Sequence, residues 1–373
     1  MITRSLVLAF LLPAVVSAQG VLGGQGFGYP VNGHSARTAG TAGAMAPFDE
    51  LTPLNPAAVG LWTRGAMYFH AEPERRQTRV DGATDNTSVT RFPLFGIAAK
   101  VSEKASVALT FASLLDRSYE TLAQTSEQVG AETVNFTTRF ASNGAINDVR
   151  AAVGWRFSER FRAGAGFHFI TGENRLTIGR DFPDSVPLAD VSSAATYSFS
   201  GTAASLGVDW RPVRAIGLSA HTRLGGSLDS RLADTLVGAG TVPFQLGAGL
   251  RYDGMPGTVF AASWVRTQWS DLDGLGSAGL SIRDANDVSI GVETRGPTLL
   301  GTATTLRAGA RSRTLPFDLG TAEVSEASYA FGVGIPLALG RASVNLAAQR
   351  AMRSGGGAKE NAWLFSLGLA IVP

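Results

Sequence analysis

The chain has 373 residues, of which 45 are glycine, 16 are proline and none is cysteine, and its formal net charge is +2. Without cysteine it can form no disulfide framework, thiolate nucleophile or cysteine-ligated metal centre. Its four histidines, His34, His70, His168 and His221, are too dispersed for a zinc motif. Lysine and arginine do not cluster into a nucleic-acid patch. We therefore expect no metal, no cofactor and no nucleic-acid partner.

The first eighteen residues have the pattern of a cleaved secretory signal peptide. Arg4 precedes the apolar run 5–16, which is too short to span a bilayer as a helix, and small residues follow up to Ala18. We expect a signal peptide over residues 1–18 and a mature chain that begins near Gln19. The alternative is an uncleaved apolar anchor, although no stop-transfer pattern follows. No later apolar run is long enough to predict a transmembrane helix.

Residues 19–60 show no regular alternation and are small, apolar and interrupted by proline. Pro53 and Pro56 bracket a Leu-Asn pair, and each proline fixes φ and removes a backbone donor. This piece is therefore neither the middle of a helix nor a central strand. Because a free tail would be more polar and charged, we expect a packed segment in which Asn55 caps a turn.

From about residue 61 onwards, apolar and small or polar residues alternate with a period of two. In residues 149–157 and again in 161–169, one face carries large apolar side chains and the other carries Gly, Arg or His, with three residues between the two runs. A period of two predicts β-strands. The runs are longer than the strands of most soluble sheets and suit strands tilted across a bilayer, where a sheet must close into a barrel. A secreted soluble β protein is the alternative.

The alternating runs number about 14, with 12 to 16 possible, and they predict an all-β, antiparallel transmembrane barrel over residues 61–373. Short turns near 102–104, 158–160, 212–213, 254–256 and 339–340 alternate with longer polar connections near 120–144, 180–192, 231–239 and 271–285. An even count would place both ends of the barrel on the periplasmic side. The predicted strands lie near 62–80, 88–101, 105–119, 145–157, 161–179, 193–211, 214–230, 240–253, 257–270, 286–296, 302–315, 324–338, 341–352 and 359–372.

The order of residues ahead of the first strand resembles the plug region of the FadL/TodX-type outer-membrane transporters of hydrophobic compounds. The resemblance covers Ala36-Arg37, Gly40, Gly43, Asp49-Glu50 and the motif Asn55-Pro56-Ala57. It implies that residues 19–60 form an N-terminal plug, or hatch, inside a barrel of 14 strands in the bacterial outer membrane. Many outer-membrane barrels end in an aromatic residue that the assembly machinery recognises. This chain instead ends in Ile371-Val372-Pro373, although Trp363 and Phe365 lie on the outward face of the last predicted strand.

The phase of the alternation predicts a set of basic side chains that face the lumen. Such a lining could hold the carboxylate of a fatty acid or an aromatic acid. Alternatively, the arginines pair with interior carboxylates such as Asp209 and Glu293 and with plug carbonyls, and some lie only at the rim. The predicted lining and ligand path comprises Arg150, Arg156, Arg162, His168, His221, Arg223, Arg251, Arg307 and Arg311, with Glu293 and Arg295 in the same phase.

Two further readings of the sequence concern catalysis and ligand stacking. Ser219 and His221 share one face of one strand, but same-face neighbours lie about 7 Å apart in a strand, too far for a direct hydrogen bond. We therefore predict that the protein is not an enzyme.

The aromatic side chains could stack on a ligand, but they fit better as girdles at the two membrane interfaces. They are Trp62, Tyr68, Trp155, Tyr197, Trp210, Tyr252, Trp264, Trp269 and Trp363.

Taken with the resemblance, these patterns predict passive uptake of small hydrophobic molecules, such as fatty acids or aromatic hydrocarbons. The expected partners are outer-membrane lipids, the hydrophobic ligand and the barrel-assembly machinery. Related barrels act in secretion or surface attachment, so a non-transport scaffold is the alternative, and a polar-solute porin is a third possibility.

Overall fold

The computed structural model describes residues 27–31, 33–80, 82–129, 132–183, 188–275, 281–299, 301–319 and 322–372. The predicted signal peptide, residues 1–18, and the start of the predicted plug lie outside the described residues. What is described consists of one large sheet and a mostly helical N-terminal segment.

Within these residues, fourteen antiparallel strands close into a barrel, as the alternation predicts. Each strand pairs with the next along the chain, and the last pairs with the first, for example through Gly368 and His70. The strands are β1 (Ala66–Val80), β2 (Ala83–Lys100), β3 (Ala105–Asp116), β4 (Glu132–Ser158), β5 (Phe161–Asp181), β6 (Val191–Val213), β7 (Ile216–Leu232), β8 (Phe244–Met255), β9 (Thr258–Gln268), β10 (Ala285–Leu299), β11 (Thr302–Leu319), β12 (Ala322–Leu337), β13 (Ala342–Gly355) and β14 (Ala358–Ile371).

The two faces of the wall differ as the period-two pattern requires. In β5, Phe167 and Phe169 are 46% and 54% exposed, whereas His168 between them is 3% exposed. Large apolar side chains cover the outside of the other strands in the same way. In a soluble protein this apolar outer face would be unfavourable, but it suits contact with lipid acyl chains.

The two ends of the barrel differ in their connections. At one end, here called the turn end, the wall turns within a few residues, as at 101–104 and 256–257, and the first and last strands begin and end there. At the other end, the loop end, the connections include residues 182–190 and 233–243 and the 3-10 helix Trp269–Leu275. A second short 3-10 helix, Ala338–Gly340, forms a turn at the turn end.

Residues 120–144, predicted as a polar connection, contain regular structure. The strand Tyr119–Val129 pairs with the first part of β4, from Glu132 to Ser142, and so extends the wall at the loop end. A shorter strand, Thr235–Thr241, likewise pairs with the outer part of β7. Residues 120–129 carry mostly polar side chains on both faces, and Thr235–Thr241 carries small or apolar ones on both. The usual contrast between an apolar and a polar face is therefore weak, and a strand is hard to predict from it.

The N-terminal segment, residues 27–64, contains the short helix α1 (Ala36–Ala39) and the 3-10 helices Ala46–Phe48 and Pro56–Leu61. Ser35 caps α1 by accepting a hydrogen bond from the Thr38 amide at 3.1 Å. Residues of the three helices contact the inward faces of strands on opposite sides of the barrel, from β3–β8 to β12–β14. The segment therefore lies inside the ring of strands.

Inward glycines make room for this segment. A methyl group at Gly332 of β12 would lie 2.9 Å from the Cα of Gly40, and one at Gly368 of β14 would lie 2.9 Å from the Cβ of Ala36. On the opposite wall, methyl groups at Gly154 and Gly164 would collide with the backbone of residues 56–60. The absence of Cβ atoms lets the backbone of the segment rest directly on the backbone of the wall.

We expect Gly164→Ala to destabilise the folded protein by about 1–3 kcal/mol, because the new methyl group overpacks against the Pro56 carbonyl. Gly217→Ala is the matched control, since its nearest neighbour would lie at an ordinary 3.6 Å. Denaturant unfolding in detergent or liposomes measures both. Equal stability of the two variants would contradict this close packing.

Candidate ligand-binding site

The Asn55-Pro56-Ala57 motif joins three parts of the interior. The Asn55 Oδ1 accepts a hydrogen bond from the Ala57 amide at 3.0 Å and so caps the 3-10 helix, with Pro56 at its first position. The Asn55 Nδ2 donates to the Pro47 carbonyl at 3.0 Å and to the Val208 carbonyl of β6 at 3.4 Å. One buried side-chain amide thereby holds the 3-10 helix, an earlier turn of the segment and the barrel wall in fixed positions relative to one another.

Asp49 organises the rest of the N-terminal segment. It accepts hydrogen bonds from the hydroxyls of Ser35, Thr38 and Thr52 at 2.5–2.8 Å. The neighbouring Arg37 reaches the wall, where its guanidinium lies 3.1 Å from Glu293 of β10. Asp49 is one of the residues on which the family resemblance depends, but the sequence does not indicate its hydrogen bonds. Its hydroxyl partners are spread over 17 positions of the chain.

Most of the predicted lumen arginines are paired. Arg162 donates to Asp209 at 2.6 Å, Arg307 to Glu293 at 2.7 Å and Arg251 to Asp253 at 2.6 Å. Arg311 contacts Asp287 on β10. Arg156 donates to the Gly60 carbonyl of the N-terminal segment at 3.2 Å. Four of these side chains link strands to each other or to the segment, whereas Arg251 pairs within β8.

The remaining predicted residues lie together in a belt across β4–β7. Asp148 accepts from the Nδ1 of His168 at 2.8 Å, and the His168 Nε2 lies 2.8 Å from the hydroxyl of Ser205. Arg223 lies 3.6 Å from Asp148 and donates to the Pro243 carbonyl at 3.2 Å. Arg150 and His221 are buried in the same belt.

Asp148, His168 and Ser205 are connected in the way that a hydrolase triad is connected. However, Ser205 is 4% exposed and does not line the interior cavity described below. The arrangement therefore acts as a buried polar chain across three strands rather than as an accessible nucleophile. Sequence reasoning missed Asp148 and Ser205, although both fall on the inward phase of their strands.

A second charged network, which the sequence analysis did not single out, lies towards the loop end. Arg353 of β13 donates to Glu326 at 2.6 Å and contacts Glu360 at 2.5 Å and Glu74 at 3.1 Å. Arg76, Arg91, Asp116 and Arg313 complete the network through further ion pairs. Its members come from seven strands, β1–β3 and β11–β14, so only closure of the barrel brings them together.

Tyr29 ties the N-terminal segment to this network. Its hydroxyl donates to Glu360 at 3.2 Å, and its ring lies between the guanidinium groups of Arg76 and Arg353, at 4.2 Å and 5.0 Å from the ring centroid. An aromatic face attracts a cation, and a desolvated site strengthens that attraction. The start of the segment is therefore anchored by charge as well as by packing.

A cavity of about 130 Å³ lies between the N-terminal segment and the wall. Its wall is mainly apolar, and four charged side chains reach it, the carboxylates of Asp148 and Asp287 and the guanidinium groups of Arg223 and Arg313. His34 also lines it, and burial together with nearby Arg311 lowers the pKa of His34 to about 3, so its imidazole is neutral. The apolar lining comprises Pro30, Val31, Pro53, Leu54, Ala112, Leu114, Val265, Trp269, Ala285, Leu315 and Pro316.

The barrel wall is split beside this cavity. Strands β2 and β3 pair from Lys100 only as far as Leu94 opposite Ala112, and the next residue of β2 is Pro93, which has no amide donor. Beyond that point β3 pairs with the N-terminal segment through Tyr29 opposite Asp116 and Pro30 opposite Leu115. The segment thus covers a strand edge that β2 leaves open, and we call this place the β2–β3 seam.

Four of the predicted girdle aromatics pack against the interior, so that prediction is wrong for them. Trp62 and Tyr197 are half-buried against interior clusters that contain Leu51 and Phe199, respectively. Tyr68 is buried and accepts a hydrogen bond from the Ala36 amide at 2.7 Å, and Trp269 lines the cavity. Trp155, Trp210, Tyr252, Trp264 and Trp363 are exposed on the outer face. The period-two phase could have placed Tyr68, but Trp269 begins a 3-10 helix in which that phase no longer applies.

None of the described helices is long and apolar enough to span a membrane. Among the described residues there is also no group of three or more His, Asp or Glu side chains placed to hold a metal ion.

Comparison with known proteins supports the fold. No protein-family model matches the chain, and no curated protein matches it. A Pseudomonas aeruginosa FadL homologue of known structure aligns over 92% of this chain and 99% of its own, with a TM-score of 0.67 and 12% identity. The Pseudomonas putida toluene transporter TodX aligns over 92% and 98%, with a TM-score of 0.58 and 14% identity. The CymD monoaromatic hydrocarbon channel aligns over 93% and 98%, with a TM-score of 0.55 and 12% identity.

At these identities the similarity establishes the fold alone. The chain is a closed 14-stranded barrel of the architecture found in FadL-like outer-membrane channels.

We expect Arg353→Met to destabilise the protein by about 3–5 kcal/mol, because it removes the guanidinium shared by Glu74, Glu326 and Glu360 and leaves buried negative charge. Arg350→Met on the outer face of the same strand is the control, with an effect near zero. Urea unfolding of both variants in liposomes measures the difference. Similar midpoints for the two would show that the network adds nothing to stability.

Proposed function

We propose that this protein is a passive outer-membrane channel for small hydrophobic molecules and that the N-terminal segment is its plug. The mainly apolar cavity beside the β2–β3 seam is the observation that carries this proposal. It offers an apolar ligand both a place to bind and an adjacent break in the wall. The architecture shared with hydrocarbon channels supports the same assignment at the level of the fold.

The size of the cavity favours a ligand with a single ring over a long-chain fatty acid. Its volume of about 130 Å³ is close to that of an apolar cavity of about 150 Å³ that binds benzene in another protein. Its charged lining consists of two carboxylates and two guanidinium groups and so has no net charge, which favours a neutral ligand with at most a small polar substituent. Two of the similar structures bear names that mention toluene or monoaromatic hydrocarbons.

The proposed route runs from the loop end to the cavity and then sideways through the seam into the membrane. The start of the plug blocks the seam, since the Val31 amide donates to the Leu114 carbonyl at 3.0 Å and Tyr29 and Pro30 pair with β3. Opening therefore requires these few backbone hydrogen bonds and the contacts of Tyr29 to break. Outer-membrane lipids would receive the ligand, and the barrel-assembly machinery would insert the barrel.

Deletion of residues 19–60 should raise ion conductance in planar bilayers well above that of the full chain, because the lumen loses the residues that fill it. Folding-dependent mobility on gels verifies that the deleted protein still forms a barrel. Equal conductance of the two folded proteins would refute the plug and favour the role of a scaffold. High conductance of the full chain itself would favour a porin.

Leu114→Trp should abolish most uptake of toluene by proteoliposomes, because the larger side chain projects into a cavity with room for one small ring. Leu109→Trp is the matched control, since Leu109 lies on the outer face of the same strand β3 and is exposed. Uptake of labelled toluene by both variants is compared with wild type and with empty liposomes. Undiminished uptake by Leu114→Trp would exclude this cavity from the route.

A further inference from the structure

Four cations on the outer face of the barrel form an unbalanced group towards the loop end. All four side chains are exposed, and none of them forms an ion pair with a described residue. They lie on the neighbouring strands β13, β14 and β1, and we call them the outer basic patch: Arg350, Lys359, Arg75 and Arg79. Two other exposed arginines near the loop end each have a carboxylate partner, since Arg139 lies 2.8 Å from Glu120 and Arg180 lies 3.1 Å from Glu127.

The direction of these side chains follows from the residues beside them. Thr78 and Glu360 are buried and are joined inside the barrel by a hydrogen bond of 3.0 Å. Because successive side chains of a strand point to opposite faces of the sheet, their neighbours Arg79 and Lys359 point outward. Arg75 lies in the same phase as Arg79 on β1 and therefore also points outward.

Two of the four cations are directly opposite each other. Lys359 and Arg79 are cross-strand partners on β14 and β1. Like charges in directly opposed positions destabilise a sheet. The carboxylate behind them does not offset this repulsion, because Glu360 points inward and contacts Arg353. The outward carboxylate of β12, that of Glu323, lies two strands away from Lys359. This arrangement favours an anionic partner from outside the chain.

The other two cations flank an aromatic ring in one row of the sheet. Cross-strand partners run from Tyr329 to Arg350, then to Trp363 and then to Arg75. The Arg350 guanidinium lies 5.6 Å from the centre of the Trp363 ring. Tryptophan and tyrosine on the outside of a barrel mark the level of the lipid headgroups. The outer basic patch therefore lies in the headgroup layer of the leaflet at the loop end.

The patch adjoins an apolar surface on its other side. From Trp363 towards the turn end, the outward side chains of β14 include Phe365 and Leu367, which are both exposed. The Phe365 ring stacks on the Trp363 ring at 6.3 Å. In the opposite direction, Lys359 and Arg79 lie four residues beyond the row of Trp363, which corresponds to about 13 Å along the strands. Two groups of positive charge are thus spaced along the wall above an apolar face.

We propose that the outer basic patch binds the headgroup of an outer-leaflet lipid that carries two phosphate groups, with its acyl chains against the apolar side chains of β14. One phosphate contacts Lys359 and Arg79, and the other contacts Arg75 and Arg350. Lysine and arginine bind phosphate oxygens through charge-assisted hydrogen bonds, and basic clusters at a membrane surface attract anionic lipids. A lipid is favoured over a soluble phosphate compound because the patch is continuous with the apolar surface. The site does not depend on what the channel carries.

The test is binding of diphosphoryl and monophosphoryl lipid A to the full chain in detergent, with the bound lipid counted by native mass spectrometry. Wild type should prefer the diphosphoryl form by on the order of tenfold, since each basic residue near an anionic lipid contributes a factor of about five. Arg79→Gln combined with Lys359→Gln should remove this preference, because the second phosphate loses both of its partners.

Lys100→Gln combined with Arg341→Gln is the matched control, because these exposed residues at the turn end make the same change in net charge. This control should keep the preference. Equal binding of the two lipids by wild type, absence of binding, or a preference kept by Arg79→Gln with Lys359→Gln overturns the site. If that double variant does not form a barrel, Arg75→Gln decides the question, since it weakens the contact with the other phosphate and should reduce the preference. An unchanged preference in Arg75→Gln overturns the site.

Tripolyphosphate distinguishes a lipid site from a site for a soluble polyanion. The proposal expects millimolar tripolyphosphate to displace little of the bound diphosphoryl lipid A, because tripolyphosphate has no acyl chains to contact β14. Displacement by tripolyphosphate at the concentration of the lipid itself would assign the patch to a soluble anion and overturn the lipid.

Discussion

The closed ladder of backbone hydrogen bonds is the constraint on which the rest of this structure depends. A strand in contact with lipid cannot leave its amides and carbonyls unpaired, so each of the fourteen strands pairs on both sides and β14 returns to β1. Closure fixes which side chains face inward and places distant residues side by side. Glu74 and Arg353, 279 positions apart, meet only for this reason.

The β2–β3 seam is where that constraint is relaxed. Pro93 ends the pairing on one side, and the backbone of Tyr29 and Pro30 takes over the open edge of β3. The backbone groups at the seam are therefore satisfied by a segment that is held through a short stretch of pairing, rather than by a full strand. Such a contact costs less to break than the rest of the wall, which is why the seam is the natural exit in the proposed route.

The interior is filled in two different ways. Around residues 36–60, inward glycines let the segment and wall touch through their backbones, and hydroxyls around Asp49 satisfy the polar groups. Towards the loop end, arginines and carboxylates interlock around Tyr29. Between these regions the belt of Asp148, His168 and Arg150 is polar but incompletely paired. The cavity borders this middle region through Asp148 and Arg223.

The sequence by itself determined the barrel, its approximate strand count and the packed character of the described residues 27–31 and 33–60, because period-two alternation and proline placement are local signals. It also placed Arg150, His168 and Arg223 on one face, since phase within a strand is local too. Tertiary structure alone decided which charges pair, that Trp269 turns inward, that residues 119–129 pair with residues 132–142 and that the pairing of β2 with β3 ends next to Pro93. Those outcomes depend on register between strands far apart in the chain, and register is set by closure of the barrel rather than by any single strand.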